Sequence, residues 1–336
     1  MTSMYKLTSV VIATMVLLGC GVESPKLLPK AVFPKEEYTE KPTDFAVFNP
    51  MVDILFVIDD SGSMSGPQDN LRRNAYLFAD AISRATLLDY HIGVVTTDMD
   101  NHSRRAGRLS GSPLFVDKST TDMVSRLSQN MVVGINGSAT EVMFEPILAA
   151  LSAPLETTYN QGFYRKDAYL AVIFLTDADD QGNYQPADFL QRLIALKGDK
   201  KKVLGYGVIR TKATEKSCPG SEDVDGRLEE FLASVTNGDL NQGNILSLCA
   251  EDYGLKLAEF AKDIVNRSAG TVKLNRLPVE RTIKVTYGTQ VIPNDRHEGW
   301  VYDRSTNSLF LAQGITWNYQ GPGVGVKVDF EVIDIE

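Results

Sequence analysis

The apolar and polar positions of this 336-residue chain fall into three regimes. From Met51 to about Val265, short and almost wholly apolar runs alternate with longer stretches whose apolar residues recur every third or fourth position. The runs "VDILFVI", "YHIGVVTT", "AYLAVIFLT" and "KVLGYGVI" have the length and β-branched content of strands buried on both faces. Between them, residues 68–88 carry Leu71, Ala75, Phe78, Ala79 and Ile82 at helical spacing. Further helices are predicted near 120–127, 141–151, 186–196, 226–235 and 253–265, with a hairpin partner at 112–116 and a short strand at 245–248. Strands separated by helices predict an α/β fold, a doubly wound and mainly parallel sheet covered on both sides.

After about residue 270 the period changes to two. "RTIKVTYG" and "VKVDFEVIDI", with turn residues at Pro293-Asn294, 305–308 and 321–325, predict a small antiparallel β domain. "GPGVG" at 321–325 has no helix behind it, so it reads as a hairpin turn and not as a phosphate loop. At the other end, Pro25, Pro29, Pro34, Pro42 and Pro50 punctuate a stretch of mixed Lys and Glu. This reads as a semi-extended tether, which at about 3 Å per residue reaches up to roughly 90 Å. "FAVFN" at 45–49 has the alternative of adding a strand to the C-terminal part.

The first twenty residues, "MTSMYKLTSVVIATMVLLGC", hold one positive charge, Lys6, then an uncharged and mainly apolar stretch over 7–18. That is too short to span a bilayer and has the shape of a secretory signal. The ending "LLGC" resembles the lipobox of bacterial lipoproteins. The resemblance implies cleavage before Cys20, a lipid on its thiol and, with Gly21 following rather than Asp, sorting to the outer membrane of a Gram-negative bacterium. The expected organisation is a signal at 1–19, a lipidated Cys20 and Pro-rich tether at 20–50, an α/β domain at 51–268 and a β domain at 269–336.

Composition narrows the chemistry. At 43% hydrophobic and 23% charged residues the chain is an ordinary globular one. Its net charge of −9 becomes −10 when Lys6 is lost with the signal, which argues against nucleic acid as a partner. His91, His102 and His297 are scattered and no CxxC is present, which argues against zinc. Cys218 and Cys249 remain as one pair. In an oxidising compartment a disulfide closing that loop of roughly thirty residues contributes about 3–4 kcal/mol, the alternative being two buried thiols.

Two strands run directly into acidic loops, "FVIDDSGSM" at 56–64 and "FLTDADD" at 174–180. Both loops leave the carboxyl end of a strand, where ligands gather in parallel sheets. Asp59, Ser61 and Ser63 place oxygen-bearing side chains at alternate positions. That pattern suits either a well-made turn or a hard-cation site.

The order strand, DxSxS, helix, strand, and a later strand ending in "TD" resembles the von Willebrand factor type A (VWA) domain over residues 51–268. The resemblance implies a metal-ion-dependent adhesion site in which Asp59, Ser61 and Ser63 fill the first motif and Asp177 the last. A threonine from an intervening loop completes the set. Thr140 in "NGSATEVMF" takes that place, with Ser138 or Glu141 as alternatives because "GSATE" departs from the family's usual "GGT". Hydroxyl and carboxylate ligands favour Mg²⁺, with Mn²⁺ or Ca²⁺ as alternatives. By the same resemblance, an acidic side chain of a protein ligand completes the metal's shell. Asp60, Asp179 and Asp180 are extra to the motif; Asp179 and Asp180 read as an N-capping turn before the next helix, and Asp98 and Asp100 as part of an acidic rim. Without a GxxxxGK[ST] loop, a GxSxG serine or a partnered histidine, the chain is expected to be a non-enzymatic, lipid-anchored binding protein of the cell envelope. The alternative is an envelope scaffold with a degenerate or self-occupied site.

Overall fold

The computed structural model describes residues 43–100, 105–218, 224–236, 243–321 and 324–333. The signal at 1–19, Cys20 and the tether up to residue 42 lie outside the described residues, as does part of the "GPGVG" turn.

The chain enters through β1 (Thr43–Phe48) and passes over Asn49 and Pro50 into β2 (Met51–Ile58). There follow α1 (Ser65–Ser83), β3 (Asp89–Thr96), β4 (Phe115–Val116), α2 (Met123–Asn130), α3 (Phe144–Ala150) and β5 (Tyr169–Thr176). Next come α4 (Pro186–Lys197), β6 (Val203–Ile209), α5 (Arg227–Val235), β7 (Ile245–Ser247) and α6 (Tyr253–Ala269). The last part is all strand: β8 (Thr271–Lys273), β9 (Lys284–Tyr287), β10 (Gln290–Ile292), β11 (Trp300–Asp303), β12 (Ser308–Leu311) and β13 (Val326–Glu331).

The large sheet has the order β4-β3-β2-β5-β6-β7. All its pairings are parallel except that of the short edge strand β4 with β3. Side chains alternate across it with the period that strand geometry imposes. Ile54, Phe56 and Ile58 of β2 and Ala171, Ile173 and Leu175 of β5 pack with α1, α2 and α6. Leu55, Val57, Val172 and Phe174 face the opposite way, onto α3, α4 and α5. Both faces are therefore covered, which is why these strands read as unbroken apolar runs. Gly205 and Gly207 interrupt β6 where α5 comes closest: a Cβ at Gly207 would lie 2.8 Å from Leu232 Cδ1.

The C-terminal part forms two antiparallel sheets, β1-β13-β9-β10 and β11-β12-β8, around Val285, Tyr287, Trp300, Leu309 and Val328. Residues 43–48 thus form a strand, pairing antiparallel with β13 from Thr43 opposite Glu331 to Phe48 opposite Val326. Cys218 and Cys249 form the expected disulfide, with Cα atoms 5.5 Å apart. Among the described residues no helix is long and apolar enough to cross a membrane.

A buried charge cluster lies near the start of β2. Asp53 of β2 is fully buried; its Oδ1 accepts from Arg165 Nε at 2.8 Å, and its Oδ2 from the Arg165 backbone N–H at 2.8 Å and Lys197 Nζ at 3.1 Å. Lys197 is itself buried, which pushes its pKa down, while the Asp53 carboxylate opposes that shift. Asp53→Ala strands this ammonium in the interior. Urea unfolding is expected to show a loss of about 3–5 kcal/mol. Arg84→Ala, which removes an exposed i,i+4 pair with Asp80, costs about 0.5 kcal/mol.

Candidate metal centre

Parallel pairing sets the site. β2 and β5 are neighbours with Ile58 opposite Leu175, so the residues that follow them, Asp59 and Asp177, emerge side by side. The Asp59 N–H donates to the Leu175 carbonyl at 3.0 Å, which carries the pairing one step past the strand. The chain then turns because Asp59 Oδ1 accepts the Ser61 N–H at 2.8 Å, an Asx turn. A single 3₁₀ turn over Gly62–Met64 delivers the chain into α1.

Four of the five residues expected from sequence are joined by hydrogen bonds. Ser61 Oγ and Ser63 Oγ lie 2.9 Å apart, and Ser63 Oγ donates to Asp177 Oδ1 at 3.1 Å. Asp59 Oδ2 accepts the Thr176 hydroxyl at 2.8 Å. Asp59, Ser61 and Asp177 are buried, whereas Ser63 is exposed and opens the cluster to solvent. Burial pushes the Asp59 carboxyl pKa up, and the charge of Asp177 adds to that rise. Burial also raises Asp177, opposed by the hydrogen bond from Ser63 and by the Arg210 charge.

Two buried carboxylates that repel one another across hydroxyl groups form a donor set suited to a hard cation. Asp59, Ser61, Ser63 and Asp177 would hold it. Among the described residues no group of three or more His, Cys, Asp and Glu side chains is arranged to hold a metal, so the site depends on its serines.

Thr140 is exposed, its N–H donates to Ser138 Oγ at 3.0 Å, and no hydrogen bond among the described residues joins it to the cluster. Glu141, by contrast, is buried and accepts from Gln181 Nε2 at 2.7 Å, while its carbonyl accepts the Gln181 N–H at 3.0 Å. It ties the 140s segment to the loop that follows Asp177.

The surplus acids are occupied elsewhere. Asp179 accepts the N–H groups of Gly226, Arg227 and Leu228 at the start of α5. Asp180 Oδ1 accepts those of Met143 and Phe144 at the start of α3, and its Oδ2 pairs with Arg227 at 2.8 Å. They are caps, but not of the next helix, as the sequence suggests. That helix, α4, opens with Pro186, which lacks an N–H to satisfy. Asp60 is fully buried and paired with Arg105, and it accepts from Thr97 Oγ1 at 3.4 Å. Gly137 donates its N–H to the Asp60 carbonyl at 2.7 Å, and a Cβ there would fall 2.2 Å from Asp60 Oδ1, so only glycine fits. Asp98 is buried and accepts the Asp100 N–H at 2.9 Å.

Three supporting residues are not evident from motif reading. Thr176 ends an apolar strand and orients Asp59. Gln68 donates one amide nitrogen to the Asp59 carbonyl at 2.8 Å and the Gly134 carbonyl at 2.6 Å. A signal existed for it, since Gln68 shares the helical stripe of Leu71 and Ala75. Arg210 bridges the Asp177 carbonyl at 2.8 Å and the Cys218 carbonyl at 2.7 Å, which couples the site to the disulfide.

In calorimetric titration with Mg²⁺ or Mn²⁺, the protein is expected to show saturable binding that Asp59→Ala and Asp177→Ala abolish. Asp179→Asn, which changes a helix cap, leaves the metal affinity within about threefold and costs about 1 kcal/mol of stability.

No family model matches the chain, and neither does any curated protein. Among solved structures, the chain is similar to a von Willebrand factor type A protein from Catenulispora acidiphila, at 14% identity and TM-score 0.37, covering 87% of this chain and 66% of that one. It is similar to proximal thread matrix protein 1 from the mussel byssus, in a structure with zinc in its MIDAS motif, at 12% identity and TM-score 0.41, covering 69% and 52%. The third is the pilus adhesin SpaC from Lactobacillus rhamnosus GG, at 12% identity and TM-score 0.40, covering 84% and 38%. The chain spans from 38% to 66% of the length of these proteins. Its own strand order, with a DxSxS loop after β2 beside the aspartate after β5, is VWA-like.

Proposed function

We propose that this chain is a non-enzymatic binding protein of the cell envelope that engages a protein ligand through a divalent cation. Mg²⁺ is the favoured ion, with Mn²⁺ or Ca²⁺ as alternatives. The observation that carries the reading is the hydrogen-bonded line from Ser61 through Ser63 to Asp177, with the exposed Ser63 at its mouth. A cation held there by Asp59, Ser61, Ser63 and Asp177 would offer a coordination position to a carboxylate of the partner. Asp59 and Thr176 fix the floor, and the two serines present neutral oxygens, so that beyond Asp59 and Asp177 no further protein charge would be spent on the ion. The surrounding acids do not bar an acidic partner, because Asp60 and Asp180 are paired with arginines and Asp179 is bonded to three backbone N–H groups. Lipidation at Cys20 would hold the domain on the outer membrane of a Gram-negative cell, at the end of the Pro-rich tether.

Water-proton relaxation of the Mn²⁺-loaded protein tests this directly. Adding a glutamate-containing peptide is expected to lower the relaxation enhancement as a carboxylate displaces bound water, while the glutamine analogue leaves it unchanged. A tightly bound ion that is indifferent to both peptides would reject the adhesive reading in favour of an envelope scaffold with a self-occupied site.

A further inference from the structure

A polar cavity of about 310 Å³ has Arg105, Arg108, Ser110, Gln129 and Tyr159 in its lining. This is at the small end of ligand pockets, which run from roughly 300 to 1,000 Å³. Two features tie it to the site above. Arg105 ion-pairs with Asp60, the residue between Asp59 and Ser61. The cavity wall at Val133 is followed by Gly134, whose carbonyl shares Gln68 Nε2 with the carbonyl of Asp59.

The chemistry of the lining is cationic. Arg105 has its charge balanced by Asp60. Arg108 is exposed, its guanidinium carbon lies 4.8 Å from the centroid of the Tyr159 ring, and among the described residues no carboxylate pairs with it. Stacking on an aromatic ring restrains a guanidinium without using its N–H groups, which stay free for an anion. In a chain of net charge −9, an arginine beside a ring, a serine hydroxyl and a glutamine amide suits a carboxylate.

We infer that this cavity is a second subsite for the same partner: the ligand is an acidic peptide segment that gives one carboxylate to the cation and a neighbouring one to Arg108. This rests on the metal-dependent binding proposed above. The second contact sets specificity, since a single isolated carboxylate satisfies only half of the site.

Binding of an immobilised hexaglutamate peptide to the protein in Mg²⁺, measured by surface plasmon resonance, tests the inference. Wild type is expected to bind, and EDTA to abolish binding. Arg108→Gln is expected to weaken the interaction about tenfold, the worth of one charge-assisted hydrogen bond, with Mg²⁺ affinity by calorimetry unchanged. Arg108→Lys, which keeps the charge but not the planar fork, recovers part of the loss. Gln129→Glu, placed on the exposed side of α2, sets a carboxylate into the cavity and weakens peptide binding likewise. Binding that EDTA abolishes but that Arg108→Gln and Gln129→Glu leave intact overturns the subsite and keeps the metal reading. Binding that survives EDTA but is lost in Arg108→Gln keeps the subsite and overturns the metal reading. No binding of hexaglutamate by wild type overturns the subsite outright.

Discussion

Two carboxylates sit next to each other in poor contact with water because two parallel strands end in register. Nothing in strand pairing requires Asp59 and Asp177 to be acidic, and burial makes each of them costly to ionise. The fold tolerates the pair by surrounding it with donors: the Ser61 N–H and Thr176 hydroxyl on Asp59, and the Ser63 hydroxyl on Asp177. These donors orient the carboxylates without cancelling their charge. A cation would resolve such an arrangement, and the exposed Ser63 at its edge opens the cluster toward solvent.

Everything around the pair keeps other charges out of the way. Asp60 turns from the site toward Arg105, and Asp179 and Asp180 run to the first turns of α5 and α3. Those caps also fasten the loop, because helix N-termini favour a negative charge. Arg210 links the Asp177 loop to the disulfide-bonded segment. At the opposite end of β2, Asp53 pins Arg165 and Lys197. The central strand is therefore held by a compensated charge near its start and carries, just beyond its end, a buried carboxylate pair that Arg210 offsets only on the Asp177 side.

Much of this was legible in the sequence because local rules apply to it. Strands covered on both faces must be apolar on both faces, so β2, β3, β5 and β6 announced themselves, and α1 followed from the spacing of Leu71, Ala75 and Phe78. The pairing of Asp59, Ser61 and Ser63 with Asp177 was legible because both loops leave the same end of the sheet. What was not legible depends on partners far along the chain. Asp179 caps a helix that starts nearly fifty residues later, and Asp180 one that starts 36 residues earlier. The second antiparallel sheet depends on pairings that no local period records, whereas the place of residues 43–48 beside β13 answers to the strand that "FAVFN" offered as an alternative to tether. Thr140 has the motif's residue type, and no hydrogen bond among the described residues joins it to the cluster; its N–H is held by Ser138.

The most direct measurement is anomalous diffraction from crystals grown with Mn²⁺, collected at the manganese edge. A single strong anomalous peak within coordination distance of Ser61 Oγ and Ser63 Oγ, between Asp59 and Asp177, is the result predicted. A well-ordered structure with no peak there, or with manganese only at other carboxylates such as Asp98 or Asp303, would contradict the account.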